Sequence, residues 1–117
     1  MRFRPVHRLR QAGEFGAVFA YRRVLRGTWF SLHYCANSQG SARLGLVVSK
    51  RNARRAVQRN AIRRVIRECF RGLRSELPCY DLIFRLTRSS PKGEPHRADW
   101  KNDVEILLAR LPRNESR

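Results

Sequence analysis

Between Lys50 and Arg71 the chain sets nine basic residues against a single acid, Glu68, in the run KRNARRAVQRNAIRRVIRECFR. Arg51, Arg55, Arg59, Arg63, Arg67 and Arg71 recur every fourth residue, so on a helix successive members are surface neighbours. A 3.6-residue period makes such a row drift by about 40° per step. Arg59, Arg63, Arg67 and Arg71 therefore sweep across one flank with Asn60 and Arg64, while Ala61, Ile62, Val65, Ile66, Cys69 and Leu73 gather opposite. That division predicts an amphipathic helix whose apolar side packs on a core. Like charges at this spacing destabilise a helix by about 0.2–0.5 kcal/mol per pair. A solvated charged face would interleave acids. An anionic partner accounts for their absence better.

The charge is also placed unevenly. The chain has 117 residues, enough for one modest core. Of its formal charge of +17, residues 1–75 carry +16 and residues 76–117 only +1. Charge confined to part of one small domain reads as a binding footprint. The polyanion need not be a membrane, because no apolar run approaches the length of a span. MRFRPVHRLR is basic with no apolar stretch behind it, so it reads as an arm and not a signal peptide. A cytoplasmic protein is expected. Cys35, Cys69 and Cys79 are odd in number and lack a Cys-x-x-Cys pair, which indicates neither a disulfide framework nor a zinc site. Cys69, on the apolar arc, is expected to be a small core residue.

Periodicity predicts the remaining elements. Phe15, Val18 and Phe19 fall at i, i+3 and i+4 of a first helix over 11–21, closed by Arg22 and Arg23. Thr28–Ala36 alternates and is aromatic-rich, and Arg43–Ser49 is a second strand. The turn NSQGS between them predicts a hairpin. Asn52 is placed to cap the long helix, which extends to about Leu73. Asp81–Leu86 reads as a buried strand, SSPKGEP as a loop, and Asp99–Leu111 as a final helix with Trp100, Val104, Leu107, Leu108 and Leu111 on one side. The order helix-strand-strand-helix-strand-helix predicts an α+β fold, a small two-layer α/β sandwich.

Side-chain catalysis finds little support. His7, His33 and His96 are scattered, Glu14 and Glu68 are the only acids in the basic portion, and the glycines form no phosphate loop. No catalytic residue and no metal ligand is assigned. Phe15 and Phe19 carry two readings, ordinary core or a platform on which unpaired bases stack. Trp29, Phe30 and Tyr34 could face the same cleft, although Trp29 and Phe30 would point to opposite faces of a strand. The arginine surface runs along about five turns between predicted strands. That is not a helix-turn-helix frame, and recognition of a folded RNA by backbone and shape fits better.

These residues resemble a known family. LGLVVSK followed by RRAVQRNAIRRVIRECFR is similar to the bacterial ribonuclease P protein subunit, with the motif standing here as Arg59, Asn60, Arg63, Arg64, Arg67 and Glu68. Glu14–Phe19 matches that family's first helix, and Glu76–Asp81 the approach to its following strand. Ala61 departs from the pattern, standing where a third basic residue is usual. The resemblance spans roughly Leu9 to Leu111, which predicts one domain over 9–111, a basic arm over 1–8 and a tail over 112–117.

The resemblance implies a left-handed βαβ crossover, an exception to the usual hand. It implies an accessory protein for a catalytic RNA that, with Mg²⁺ held mainly by RNA and substrate, removes the 5′ leader from precursor tRNA. On this basis Arg55, Arg59, Asn60, Arg63, Arg64, Arg67 and Arg71 are expected to bind the catalytic RNA. Phe15, Phe19, Lys50 and Arg51 are expected to bind the leader. The free protein is expected to be a monomer. A structural RNA-binding protein such as a ribosomal component is the competing class, and a protein enzyme acting alone the third.

Overall fold

Four strands form one sheet in the order β1-β2-β4-β3, and the last strand in sequence is one of the two central ones. The computed structural model describes residues 12–37, 40–89 and 96–112. The basic arm, residues 90–95 of the loop and residues 113–117 of the tail lie outside the described residues. The chain runs α1 (Ala12–Tyr21), β1 (Arg23–Arg26), β2 (Phe30–Ala36), β3 (Arg43–Val47), α2 (Ala56–Leu73), a short 3-10 turn over Arg74–Glu76, β4 (Tyr80–Leu86) and α3 (Arg97–Ala109).

The expected hairpin between the strands flanking NSQGS does not form. β2 pairs antiparallel with β1 and β4, whereas β3 pairs parallel with β4. The reason lies in burial. Leu82, Ile83 and Phe84 of β4 are all fully buried, which requires cover on both faces and a neighbour on both edges. A parallel β3–β4 pair needs a long crossover, and α2 is that crossover. β2 finds its hairpin partner upstream instead. Arg23–Arg26 forms the unpredicted β1, separated from α1 by Arg22 alone. Arg22 takes a left-handed φ of 62° while its N–H still bonds the Phe19 carbonyl, so the helix ends in one residue and the strand starts at the next.

Helices cover the sheet unequally. Phe30, Leu32 and Tyr34 of β2, Leu82, Phe84 and Leu86 of β4 and Leu44 of β3 share a core with Ile62, Ile66, Cys69 and Phe70 of α2 and Trp100, Val104, Leu107 and Leu108 of α3. This is the sandwich that the periodicity of the two long helices predicts, with Phe70 an additional core member. The alternate residues face the other way. There Val18 of α1 packs on Ile83, with Phe15, Phe19, Cys35 and Val47 around them. Because α1 is short, part of this second face has no helix over it among the described residues.

Trp29, Phe30 and Tyr34 all belong to the larger core, so none of them faces the cleft under α1. Trp29 precedes β2 and turns toward α3, stacking on His96 with ring centroids 4.8 Å apart and meeting Trp100 edge-on. Its position depends on Asp103, a buried acid of α3. The Asp103 carboxylate accepts the backbone N–H groups of Thr28, Trp29 and Phe30 at 2.9, 2.9 and 3.0 Å. Gly27 is required beside it, since a Cβ there would lie 2.7 Å from both carboxylate oxygens.

Asn52 does not cap α2. The helix starts at Ala56 with Arg55 as N-cap and no side-chain cap hydrogen bond. Ala53 is buried, drawing the preceding segment into a turn closed by its N–H to the Ser49 carbonyl. The Asn52 amide instead donates to the Leu86 carbonyl at 3.0 Å, tying this turn to the end of β4.

Candidate nucleic-acid interface

Two surfaces carry the expected binding residues. The first is the outer flank of α2. Asn60, Arg64, Arg67 and Arg71 are exposed there, Arg55 is exposed at the N-cap, and Arg59 and Arg63 are half-buried. Arg59 is more than a free cation. Its Nη1 donates to the carbonyls of Ala53 and Arg54 at 3.0 and 2.8 Å, bracing the turn that leads into the helix. Arg63 Nη1 lies 3.4 Å from Asn60 Oδ1, a weak contact that leaves its guanidinium available. Ala61 is half-buried against the core, matching its place at the border of the apolar arc.

The second surface is a groove of about 640 Å³ at the carboxyl ends of β3 and β4, lined by Val47, Ser49, Arg51, Asn52, Arg85, Leu86 and Thr87. The ends of parallel strands leave such crevices because the chain must depart there toward a covering helix. Lys50 and Arg51 are exposed in the turn above it, outside the helix, so Arg51 is not part of the arginine row of α2. Phe15 and Phe19 are half-buried on α1. Val47 lines the groove and packs against the same Val18–Ile83 cluster as the two phenylalanines, so the groove begins beside them.

Sequence reasoning missed His33, Arg85 and Asn52 on this side. His33 and Arg85 show only as polar residues at alternate positions in otherwise apolar strands, a signal that needs the correct strand pairing to interpret. The His33 ring meets Phe19 edge-on at 4.8 Å. Burial, and then the guanidinium charges of Arg85 and Arg26, hold the His33 pKa below its ordinary 6.5. The unfolded chain therefore takes up this proton at a pH where the folded chain refuses it. His33 should contribute fully to stability above pH 6.5 and progressively less as the pH falls below that value. Thermal melts of wild type and His33→Phe, compared between neutral and mildly acid pH, should show the steeper acid loss only in wild type.

A second cavity, about 530 Å³, lies between α2 and α3, with Glu68 of α2 and Arg97, Lys101 and Glu105 of α3 around Val65, Cys69 and Leu73. Its near balance of charge sets it apart from the basic surfaces. Burial first, and then Glu105, raises the Cys69 thiol to about 11, so it stays protonated and unreactive at neutral pH. Among the described residues no three His, Cys, Asp or Glu side chains come together as metal ligands. Asp81 is held by Arg43 in a two-pronged ion pair at 2.8 Å and by Asn37 at 2.7 Å, and Asp103 by backbone N–H groups, so these acids do not fit a metal. Among the described residues no helix is long and apolar enough to cross a membrane.

A long basic helix flank, a groove floored by a sheet and acids bonded within the fold define a polyanion-binding α+β protein. Comparison with known proteins makes the class specific. The family model described as Ribonuclease P matches residues 3–112. The ribonuclease P protein component of Azoarcus sp. (strain BH72) is 49% identical over 111 residues, covering 95% of this chain and 91% of that one. The component of Coxiella burnetii (strain Dugway 5J108-111) is 39% identical over 110 residues, covering 94% and 89%. Among solved structures, the Staphylococcus aureus RNase P protein superposes with a TM-score of 0.77 at 27% identity, covering 88% of this chain and 93% of that one. The Thermotoga maritima protein gives 0.78 at 25% identity, covering 90% and 97%.

The chain belongs to the ribonuclease P protein family. It is the protein subunit of a ribonucleoprotein endoribonuclease of tRNA processing, and ribonuclease P RNA is its partner. The ribosomal reading and the protein-only enzyme are set aside by that membership.

Proposed function

We propose that the two surfaces divide the work of the ribonucleoprotein. Arg55, Arg59, Asn60, Arg63, Arg64, Arg67 and Arg71 bind the catalytic RNA, and Phe15, Phe19, Lys50 and Arg51 bind the 5′ leader of precursor tRNA. The observation that carries this division is the half-exposure of Phe15 and Phe19 beside a basic groove. Such an arrangement suits stacking of unpaired bases with the phosphates tracked by cations. Guanidinium forks along α2 suit phosphates of a folded RNA.

In this reading no side chain of the protein does chemistry. The protein holds the leader, which orients the substrate and reduces the repulsion that ions must otherwise screen between two RNAs. Mg²⁺ belongs to the RNA and substrate, and the requirement for it falls when the protein is bound. The working unit is one domain over 9–111 with a basic arm over 1–8 and a tail over 112–117. The free protein is a cytoplasmic monomer, kept apart from its own copies by a charge of +17.

The test is Phe19→Leu. Leucine keeps most of the packing on Val18 and Ile83 and removes the aromatic face. Binding of precursor tRNA by the reconstituted ribonucleoprotein should weaken by about 1–3 kcal/mol if one stacked base is lost. Binding of mature tRNA should barely change. If both affinities drop together, the phenylalanines are only core residues and the groove assignment fails.

A further inference from the structure

The segment between β3 and α2, residues 49–55, forms neither helix nor strand, yet side chains grip it from two sides. On the sheet side the attachment is Asn52. Its amide donates to the Leu86 carbonyl at 3.0 Å, and its Oδ1 accepts the Ser89 hydroxyl at 3.0 Å. Both ends of one side chain are thus committed to the chain at and beyond the end of β4. Within the turn the Ala53 N–H bonds the Ser49 carbonyl at 3.0 Å, and Ala53 is 1% exposed. On the helix side the attachment is Arg59, whose Nη1 donates to the Ala53 and Arg54 carbonyls at 3.0 and 2.8 Å.

Arg59 therefore faces two ways. A guanidinium is a planar fork with donors along more than one edge. Nη1 is taken by the turn. Nε and Nη2, the edge that meets an oxyanion with two parallel bonds, have no partner among the described residues. The same edge of Arg43 holds the Asp81 carboxylate elsewhere in this fold. Lys50 and Arg51 are exposed on the turn between the two attachments, above the groove at the strand ends. One side chain thus connects the phosphate-facing flank of α2 to the segment that presents the groove's cations.

Such a connection makes binding at one surface depend on order at the other. A long side chain loses rotamer freedom when it is held. Arg59 loses that freedom once for two contacts, so a phosphate on its free edge strengthens its hold on the Ala53 and Arg54 carbonyls. A held turn in return presents Arg59 to RNA already oriented, and the two effects are equal in free energy. The second attachment is needed as well. A turn fastened only to Arg59 would follow that side chain without keeping Lys50 and Arg51 over the groove.

We propose that the turn over 49–55 couples the two surfaces, with Asn52 as its positioning residue: catalytic RNA on Arg59 fixes the turn, and the fixed turn sets Lys50 and Arg51 for precursor tRNA. This rests on the division of surfaces given above. The two states are the turn gripped by Arg59 and the turn released from it. Catalytic RNA favours the gripped state, because there the arginine is already ordered.

The first measurement needs no substrate. Hydrogen–deuterium exchange is followed by mass spectrometry in the free protein and in the protein bound to ribonuclease P RNA. In wild type the RNA should slow exchange over residues 49–55 by about tenfold, a coupling of ordinary size. Arg59→Lys keeps the charge and loses the fork, so RNA bound to that variant should leave the turn unprotected. Protection that survives Arg59→Lys would mean that RNA covers the turn directly, and the coupling falls.

The second measurement is the ratio of precursor to mature tRNA affinity for the reconstituted ribonucleoprotein. Asn52→Ala should lower that ratio by about fivefold to tenfold and lower the affinity for catalytic RNA far less. Ser89→Ala removes one bond of the attachment at an exposed position, so it should fold normally and lower the ratio in the same direction by less. Asn52→Ala combined with Arg59→Lys should lose little more than the worse single variant, since both act through one turn. A merely structural Asn52 would instead give additive losses that follow the melting temperature. If wild type binds the two tRNAs equally, the leader reading itself falls. If wild type separates them while Asn52→Ala and Ser89→Ala keep the full ratio, the leader reading stands and the coupling is overturned.

Discussion

Replacing Asp103 with alanine is expected to lower the melting temperature by roughly 10–25 °C, more than any other single substitution considered for this chain. The carboxylate is the acceptor for three consecutive backbone N–H groups, those of Trp29 and Phe30 buried and that of Thr28 part-buried. Each buried donor left without a partner costs about 1–3 kcal/mol, so the two buried donors alone account for about 2–6 kcal/mol. A domain of this size holds only about 5–15 kcal/mol in all. Gly27→Ala should also destabilise, since its new methyl group would meet the carboxylate at 2.7 Å. In the Asp103→Ala background that collision is gone, so the second substitution should cost far less than it does alone. Thermal melts of the two single variants and the double variant decide the matter. If Asp103→Ala melts like wild type, the turn between β1 and β2 is held by something other than this acid.

The second large effect is on salt dependence. Each phosphate neutralised on duplex contributes about −0.9 to the slope of log affinity against log salt. Arg63→Ala/Arg67→Ala should therefore flatten the slope for ribonuclease P RNA by roughly two units. Their removal should leave the melting temperature nearly unchanged, because neither side chain belongs to the core. Arg59→Ala should behave differently. It removes a cation and also the brace to the Ala53 and Arg54 carbonyls, so it should lower both affinity and stability. Filter binding across a salt series, with melts of the same variants, separates the two cases. An unchanged slope in the Arg63/Arg67 variant would mean that this flank of α2 does not meet phosphate.

How far the sequence could be read depended on how local each signal was. The apolar arcs of α2 and α3 repeat over several turns, and Ile62, Ile66, Trp100, Val104, Leu107 and Leu108 are buried as their spacing predicts. The arginine flank was visible for the same reason. Strand partners were not, because pairing depends on residues far apart. NSQGS looks like a hairpin turn, and Gly40 does take a left-handed φ of 82° there, yet β4 inserts between the two strands it joins. A turn fixes only the direction of the chain. The burial of Leu82, Ile83 and Phe84 on both faces decides which strand is central.

β1 escaped notice because four residues are too few for alternation to stand out, and Arg22 and Arg23 fit a helix end equally well. The site divided along the same line. Phe15, Phe19, Lys50 and Arg51 could be named from motif and period. Arg26, His33 and Arg85 reach that face only through the register of β1, β2 and β4. Asn52 shows the converse. Its type suits a cap, but the burial of Ala53 next to it moved the helix start to Ala56.

The position of β4 also sets an order of events during synthesis. A chain emerging from its N-terminus delivers α1, β1, β2, β3 and the whole basic helix before Tyr80 appears. Until then β2 has only β1 beside it, and β3 has no partner at all among the described strands. The most highly charged segment is thus in contact with the surrounding solution before the fold that supports it can close. Pairings between such distant segments form slowly, and unpaired edges in a waiting chain are where association with other chains starts. An RNA that engages α2 at this stage would act on an incomplete protein, and closure of the sheet around β4 would then take place on a helix already held by its partner.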